Sequence, residues 1–415
     1  MPLQPGDRVA LLVPGSRSYV DVVLSLLARG VFPVPLDPRL TAYERERILG
    51  NLDPALTVTD DTQLAALAGP HGLPLGRPMH VTSGTTGTPK GVFSGLLDPA
   101  DAQALVAEER DLWGFEATDV NLVLSPLYHS APLRFAMGTL LAGGQITGFD
   151  ADGRQPAFDP AGITATIERE RPTTMFCVPA HLQRLFAHWD EHGTPDLGCF
   201  RLVAHAGAAC PEPLKRRLID AFPAGSTWEF YGSTEGQFTA CRSEEWLERP
   251  GTVGRARPGR TLQLDQDGQI WCTVPAYARF SYFNDPAKTA AAWRETADGP
   301  AFSVGDLGRL DAEGYLWLDG RREDLIITGG VNVYPAEVES TLAGHPGVAD
   351  VAVYGVPDDH WGQRVVAAVV GTATADELDR WARERLAPPK RPKEYRHLAE
   401  LPRTLTGKVR RRDLA

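Results

Sequence analysis

Twelve residues, Val81-Thr82-Ser83-Gly84-Thr85-Thr86-Gly87-Thr88-Pro89-Lys90-Gly91-Val92, constrain this chain more than any other stretch. Their glycines let the backbone turn where a side chain would clash. Hydroxyls and backbone N–H groups can then wrap a phosphate, with a lysine as the point charge. Composition makes the stretch a loop, and residue order makes it an anion cradle. It is not the common P-loop, which needs Gly, four residues, then Gly-Lys-Ser/Thr. Lys90 stands instead between Pro89 and Gly91. A flexible Gly/Thr surface loop is the plainer alternative.

The surrounding chain alternates strands with helices. Residues 8–13 read as a short apolar strand. Ser16 can cap the next helix, whose apolar face runs over 19–27. Residues 31–36 hold two prolines and read as an edge strand. Thr41 and Glu44 have capping-box spacing, and 55–59 is another strand. A strand is also expected at 121–125, an apolar stretch at 173–179 followed by a helix over 180–189, and a strand running into a small-residue turn over 202–209. This is α/β patterning, with helices crossing between strands.

A chain of 415 residues normally divides into two or three domains. The formal charge of −11 argues against a non-specific nucleic-acid binder. The five cysteines show no CxxC spacing, which fits a reducing cytosol better than a disulfide framework or zinc site. No charged-then-apolar leader and no membrane-length apolar run is seen, so a cytoplasmic protein without a membrane span is expected.

Three further stretches carry chemistry. In Glu229-Phe230-Tyr231-Gly232-Ser233-Thr234-Glu235, an aromatic beside glycine and a hydroxyl pair suits a stacked base, and Glu235 is a hard oxygen ligand for magnesium. In Val304-Gly305-Asp306-Leu307-Gly308, a carboxylate at a strand end can accept both ribose hydroxyl protons. Near the end, Pro402-Arg403-Thr404-Leu405-Thr406-Gly407-Lys408 sets a lysine in a turn. Each could be an ordinary turn or solvated tail on its own.

Together and in this order, these motifs resemble the AMP-forming adenylating enzymes: acyl-CoA synthetases, luciferases and peptide-synthetase adenylation domains. The look is nearest to fatty-acyl-CoA synthetases. The resemblance implies a large N-terminal domain (1–322) of α/β sheets with a small β-rich subdomain, and a small mobile α+β domain (323–415) hinged at Glu323. Typical relatives have more chain before Gly6 and between Thr59 and the loop, so a compact form with a shortened N-terminal part is expected.

The resemblance also implies residue roles. Thr82, Ser83, Gly84, Thr85, Thr86, Gly87 and Lys90 would hold ATP phosphates. Gly207, Ala208, Ala209 and 229–234 would line the adenine pocket, Asp306 and Arg321 the ribose. Gly329 and Gly330 would approach coenzyme A. His129, Val178, His205 and Gly232 would face the acid, with Phe176 and Leu182 as further lining residues. Lys408, Thr85, Glu235 and His129 would be catalytic, with magnesium on Glu235. The implied reaction activates a carboxylic acid with ATP and passes the acyl group to coenzyme A, in a monomer or homodimer. A carrier-protein thiol or an amine is the alternative acceptor, and a degenerate adenylate-binding protein the non-enzyme alternative. A dehydrogenase is excluded because no GxGxxG follows the first strand.

Overall fold

Parallel strands need crossovers, and here apolar runs and amphipathic segments alternate to provide them. The computed structural model describes residues 2–82, 90–321, 324–328, 331–358, 361–386, 388–403 and 409–414. Its largest sheet has seven strands, in spatial order 255–256, 239–242, 227–229, 202–205, 174–177, 120–123 and 145–147. The last five are parallel, and the first two add antiparallel at one edge. Helix Ser130–Leu141 carries the chain from strand Val120–Val123 to its neighbour Gln145–Thr147. Helix Pro160–Glu170 then returns it to Thr174–Cys177 on the other side of Val120–Val123. Strand order reverses there, and open α/β sheets bind ligands beyond the carboxyl ends at such a switch point. His129 follows one of these strands, and Val178 follows the other.

Helices cover both faces. Leu182, Leu185, Phe186 and Trp189 of helix Pro179–His192 share a core with Leu214 and Leu218 of helix Glu212–Ala221. Trp113, Phe115, Phe135, Phe176 and Phe230 form an aromatic core elsewhere on the sheet. Burying a side chain of this size is worth about 1.5–3 kcal/mol. Leu182 is fully buried in the first core, which corrects its expected place on a substrate channel.

The N-terminal strands form a separate parallel sheet, with Arg8–Leu11 between Phe32–Pro35 and Leu56–Val58. The proline-bearing strand lies at the edge, where its missing N–H groups break no central ladder. Ser16 caps helix Arg17–Ala28 by accepting from the Tyr19 N–H, and Thr41 with Glu44 completes the capping box on helix Ala42–Leu52. Val20, Val23, Leu24 and Leu27 share one core with Leu133, Ala136 and Met137, so this layer packs on helix Ser130–Leu141.

An antiparallel sheet of Thr261–Leu264, Ile270–Thr273, Gly299–Phe302 and Trp293–Thr296 follows. The C-terminal part has its own sheet, built on strands Val348–Asp358 and Gly362–Gly371. Alternate residues of the latter serve opposite faces. Val365, Ala367 and Val369 share a core with Val338, Leu342, Leu378 and Ala382 of two helices, while Val366 and Ala368 share one with Leu401 and Leu414.

Candidate nucleotide and acid site

The 81–92 stretch begins and ends in the two strands of a β-hairpin. Strand His80–Thr82 pairs antiparallel with Lys90–Phe93, setting Thr82 opposite Lys90. Ser83, Gly84, Thr85, Thr86 and Gly87 lie outside the described residues. The second hairpin strand pairs in turn with Ser281–Tyr282, which sets Val92 opposite Tyr282. This pairing brings Asp285 to the loop: Lys90 Nζ lies 3.0 Å from Asp285 Oδ2, and both residues are half-buried. A backbone N–H from Lys288, then the Lys90 ammonium, hold the Asp285 carboxyl below its usual range.

Tyr282 also reaches the second motif, where its hydroxyl donates to Glu235 Oε1 at 2.9 Å. The Lys288 ammonium sits 3.9 Å from the centre of the same tyrosine ring. Burial lowers the Lys288 pKa, with Glu235 and Asp285 opposing the shift. Arg77 donates to the Glu235 backbone carbonyl at 3.4 Å. Glu235 is buried, at 7% exposure, at the end of a tight reversal closed by the Ser233 N–H donating to the Gly236 carbonyl at 2.8 Å. Gly232 bridges to Gln237 across this reversal, and Thr234 is half-buried within it.

The third motif meets the second through Tyr231, whose hydroxyl donates to Asp306 Oδ2 at 2.6 Å. Tyr231 itself is stacked on Phe238 with ring centres 4.6 Å apart. Asp306 begins a strand paired antiparallel with Leu316–Arg321, and its register partner is Arg321. Gly305 precedes Asp306 with φ +83°, a left-handed turn that favours glycine. Tyr231 and Asp306, 75 residues apart, are thus joined directly.

His129 begins helix Ser130–Leu141, its ring 4.4 Å from that of Tyr128. His80, on the strand entering the phosphate loop, contacts the Tyr128 carbonyl through Nδ1 at 3.2 Å. Burial, then repulsion from His129, Arg77 and Arg134, pushes its pKa down to about 3. His80 is therefore neutral across physiological pH. Val178 is half-buried, packs on the aromatic core of Phe176 and Phe230, and lies beside Gly207. Gly207 has φ +91° and opens an exposed turn with Ala208 and Ala209.

Three expected site residues are buried in the interior. His205, expected to face the acid, has no exposed surface, and its Nε2 lies 2.6 Å from Lys215 Nζ. Glu229, expected in the adenine pocket, lies 3.5 Å from the same ammonium. Parallel pairing of strands 202–205 and 227–229 sets the two side by side, and helix Glu212–Ala221 brings Lys215 over them. Phe230 points into the aromatic core at 5% exposure. Glu323, Gly329, Gly330 and Lys408 lie outside the described residues.

Sequence reading missed Arg77, His80, Lys215, Asp285 and Lys288 as partners in these networks. Lys215 carried a signal, since it stands at helical spacing with Leu218 and Phe222 on an otherwise apolar stripe. Asp285 and Lys288 carried none, because only the pairing of strands some 190 residues apart brings them to the loop.

A family model described as AMP-binding enzyme matches residues 79–275, and one described as AMP-binding enzyme C-terminal domain matches 337–408. Feruloyl-CoA synthase of an Amycolatopsis species is 34% identical over 454 aligned positions, covering 98% of this chain and 88% of that protein. The alignment is longer than this chain, so the relative carries internal segments that this chain omits. Indoleacetate–CoA ligase of Aromatoleum aromaticum is 35% identical over 80% of this chain and 65% of its own length. Among solved structures, ATP-bound MatB from Rhodopseudomonas palustris superposes with TM-score 0.83 at 28% identity, covering 99% of this chain and 88% of MatB. The succinylbenzoate-CoA synthetase of Bacillus subtilis with its acyl-adenylate gives 0.81 at 26% identity, over 99% and 88% of the two chains. The matched models, the near end-to-end relatives and the shared fold agree: this chain belongs to the AMP-binding enzyme family, and its named relatives include AMP-forming acyl-CoA ligases.

Proposed function

We propose that the chain activates a carboxylic acid with ATP and transfers the acyl group to the thiol of coenzyme A. The observation that carries this reading is the convergence of three distant segments. Tyr282 ties the hairpin of the phosphate loop to Glu235, and Tyr231 of the same motif holds Asp306. A ribose acceptor, a hard oxygen donor and an anion loop are thereby held on connected elements.

In the first half-reaction a carboxylate oxygen attacks the α-phosphorus of ATP. The α–β anhydride bond breaks and pyrophosphate leaves. The acid is already ionised, so no general base is needed. The protein's work is to align two anions and offset the charge that develops between them. The 83–89 loop would grip the β- and γ-phosphates, Asp306 and Arg321 the ribose, and Lys408 the carboxylate and α-phosphate. Glu235 suits magnesium, which supplies charge neutralisation on the phosphates. In the second half-reaction the coenzyme A sulfur attacks the acyl carbon and AMP leaves. Residues 323–415, hinged at Glu323, would turn Gly329 and Gly330 toward the pantetheine. The separate core of the C-terminal sheet supports such rigid-body movement.

The core on which Val178 packs is aromatic, and the named relatives act on feruloyl, indoleacetyl and succinylbenzoyl groups. These favour an acid with a ring over a long aliphatic chain. An amine acceptor is the second reading, favoured by the fold match to the amide bond synthetase McbA of Marinactinospora thermotolerans, TM-score 0.83 at 25% identity over 99% of this chain and 90% of that one. No described helix is long and apolar enough to cross a membrane, which is in keeping with action in the cytoplasm.

Acid-dependent pyrophosphate release from ATP tests the proposal. Lys408→Ala is expected to lower that rate by about 10²–10³-fold, the range for loss of one electrostatic stabiliser. A variant that keeps the wild-type rate refutes the assigned role. Exchanging coenzyme A for an amine or a carrier protein in the second step separates the acceptors.

A further inference from the structure

Behind the acid-facing elements lies a cluster of charge that the reaction above does not use. Arg134 projects from helix Ser130–Leu141, little more than one turn beyond His129. Its guanidinium carbon sits 5.2 Å from the centre of the Phe230 ring, and its Nε lies 3.3 Å from Glu109 Oε2. Glu109 is shared with Arg257 at 2.6 Å, while Glu108 takes Arg257 at 2.8 Å and Arg260 at 2.7 Å. Arg77 feels the same two glutamates and is repelled by Arg260 and Arg134. Three guanidinium groups therefore share two carboxylates, with Arg77 near enough to feel them. Arg77 settles part of its demand on the backbone carbonyls of Glu235, Ala278 and Arg279.

The balance is visible in the ionisation of the group. Burial works to raise Glu109, but Arg134 and Arg257 outweigh it and hold the carboxyl down at about 2. Burial lowers the Arg134 pKa, with Glu109 opposing and Arg257 adding to the shift. Among the described residues Arg134 Nη2 is buried and has no hydrogen-bond partner, and Nε has only its ion pair with Glu109. A buried guanidinium N–H left without an acceptor is costly, more so than a neutral donor. An oxygen acceptor brought in by a ligand would remove that cost.

The direction of Arg134 says which ligand. It lies against Phe230, which packs in one core with Phe135 and Phe176, and Val178 and Ala131 pack on that core. His80, on the strand that enters the phosphate loop, feels both His129 and Arg134. Arg134 thus adjoins the core on which Val178 packs and stands little more than one helical turn from His129, the two residues assigned to the acid.

We propose that Arg134 determines substrate class: it receives a second oxygen acceptor, a carboxylate, carbonyl or hydroxyl oxygen, carried by the acid at its end remote from the reacting carboxylate. The surface at Val178, backed by the aromatic core, would hold the body of the acid, and Arg134 would read its far end. A planar guanidinium suits this because it can donate two parallel N–H bonds to one carboxylate. Glu109 then acts as a positioning residue that holds Arg134 by its Nε and leaves Nη2 for the ligand.

This rests on the adenylation reading, and the test separates the two. Purified enzyme is assayed for pyrophosphate release with pairs of acids matched in length and ring content, one bearing a distal oxygen acceptor and the other a methyl or hydrogen. The wild type is expected to favour the acceptor-bearing member in kcat/KM by about 10- to 100-fold, the range for a hydrogen bond to a charged group. Arg134→Met keeps the length of the side chain and leaves Glu109 with Arg257. It is expected to reduce that preference to nearly none, with the loss in kcat/KM falling on the acceptor-bearing acids. Arg134→Lys, which keeps the charge, should restore part of the preference and guards against a folding defect in the methionine variant. Equal rates for both members of each pair in the wild type overturn the inference. So does an Arg134→Met enzyme that weakens ATP and all acids alike. Release of pyrophosphate with none of the acids overturns the adenylation reading itself and this inference with it.

Discussion

Lys215→Met isolates the buried charge beneath the sheet. Lys215 has no exposed surface, and its ammonium lies 2.6 Å from His205 Nε2 and 3.5 Å from Glu229 Oε2. Methionine fills nearly the same volume but leaves Glu229 without its cation. Breaking a buried pair from one side costs about 3–5 kcal/mol, because the remaining charge stays desolvated. Removing both charges together is often close to neutral. Lys215→Met is therefore expected to lose about 3–5 kcal/mol near pH 8, and Lys215→Met with Glu229→Gln to recover most of it.

The pH dependence follows from the same burial. Burial raises the Glu229 pKa above its ordinary value, and Lys215 opposes that rise. A carboxyl raised in the fold binds its proton more tightly there than in the unfolded chain, so stability falls as pH rises through the interval above about 4.3. Without Lys215 that interval extends upward. The deficit of the single variant should then shrink toward about pH 5 and widen toward pH 8. Burial, then Lys215, holds His205 well below its ordinary value. A histidine neutral in the fold contributes stability that is lost as pH falls through about 6.5. Loss of Lys215 relieves its repulsion and adds to the recovery at low pH. Urea denaturation followed by tryptophan fluorescence at both pH values gives the comparison. A deficit under about 1 kcal/mol near pH 8, or a double variant no more stable than the single one, would show that the cluster is not a coupled buried pair.

Two further changes test the local reading. Tyr231→Phe removes the hydroxyl that donates to buried Asp306, so a loss of about 1–3 kcal/mol in denaturation and a raised KM for ATP are expected. Gly254→Ala and Gly50→Ala should have opposite signs in thermal melts. The first has φ +91° and a Cβ that would overlap the Ala240 carbonyl, costing about 1–3 kcal/mol or more. The second sits in helix Ala42–Leu52 with open space around it and should gain about 0.4–1 kcal/mol.

Local structure was legible wherever neighbours in sequence decide it. Ser16 and the Thr41–Glu44 pair cap their helices because a hydroxyl three residues before an N–H is already in reach. The prolines at 33 and 35 point to an edge strand because they cannot complete a ladder. The alternation of apolar runs and amphipathic segments was enough for α/β layering. His205 and Glu229 were misread for the opposite reason. Each stands beside a strong motif, and proximity in sequence carried them into the site. A strand sends successive side chains to opposite faces, so a residue next to a ligand contact can face the core.

The strand and helix alphabet and the order of motifs that marks the family were legible in the sequence alone. The sequence could not determine what stands across from those motifs. Register did that: Val92 opposite Tyr282 carries Asp285 to Lys90, and Glu229 opposite His205 leaves both beneath Lys215. Arg134 meets Glu109 and Phe230 only because helices and strands from separate crossovers close around one aromatic core. Backbone pairing and burial are properties of the whole fold, and they decide which charges face a ligand and which only hold the fold together.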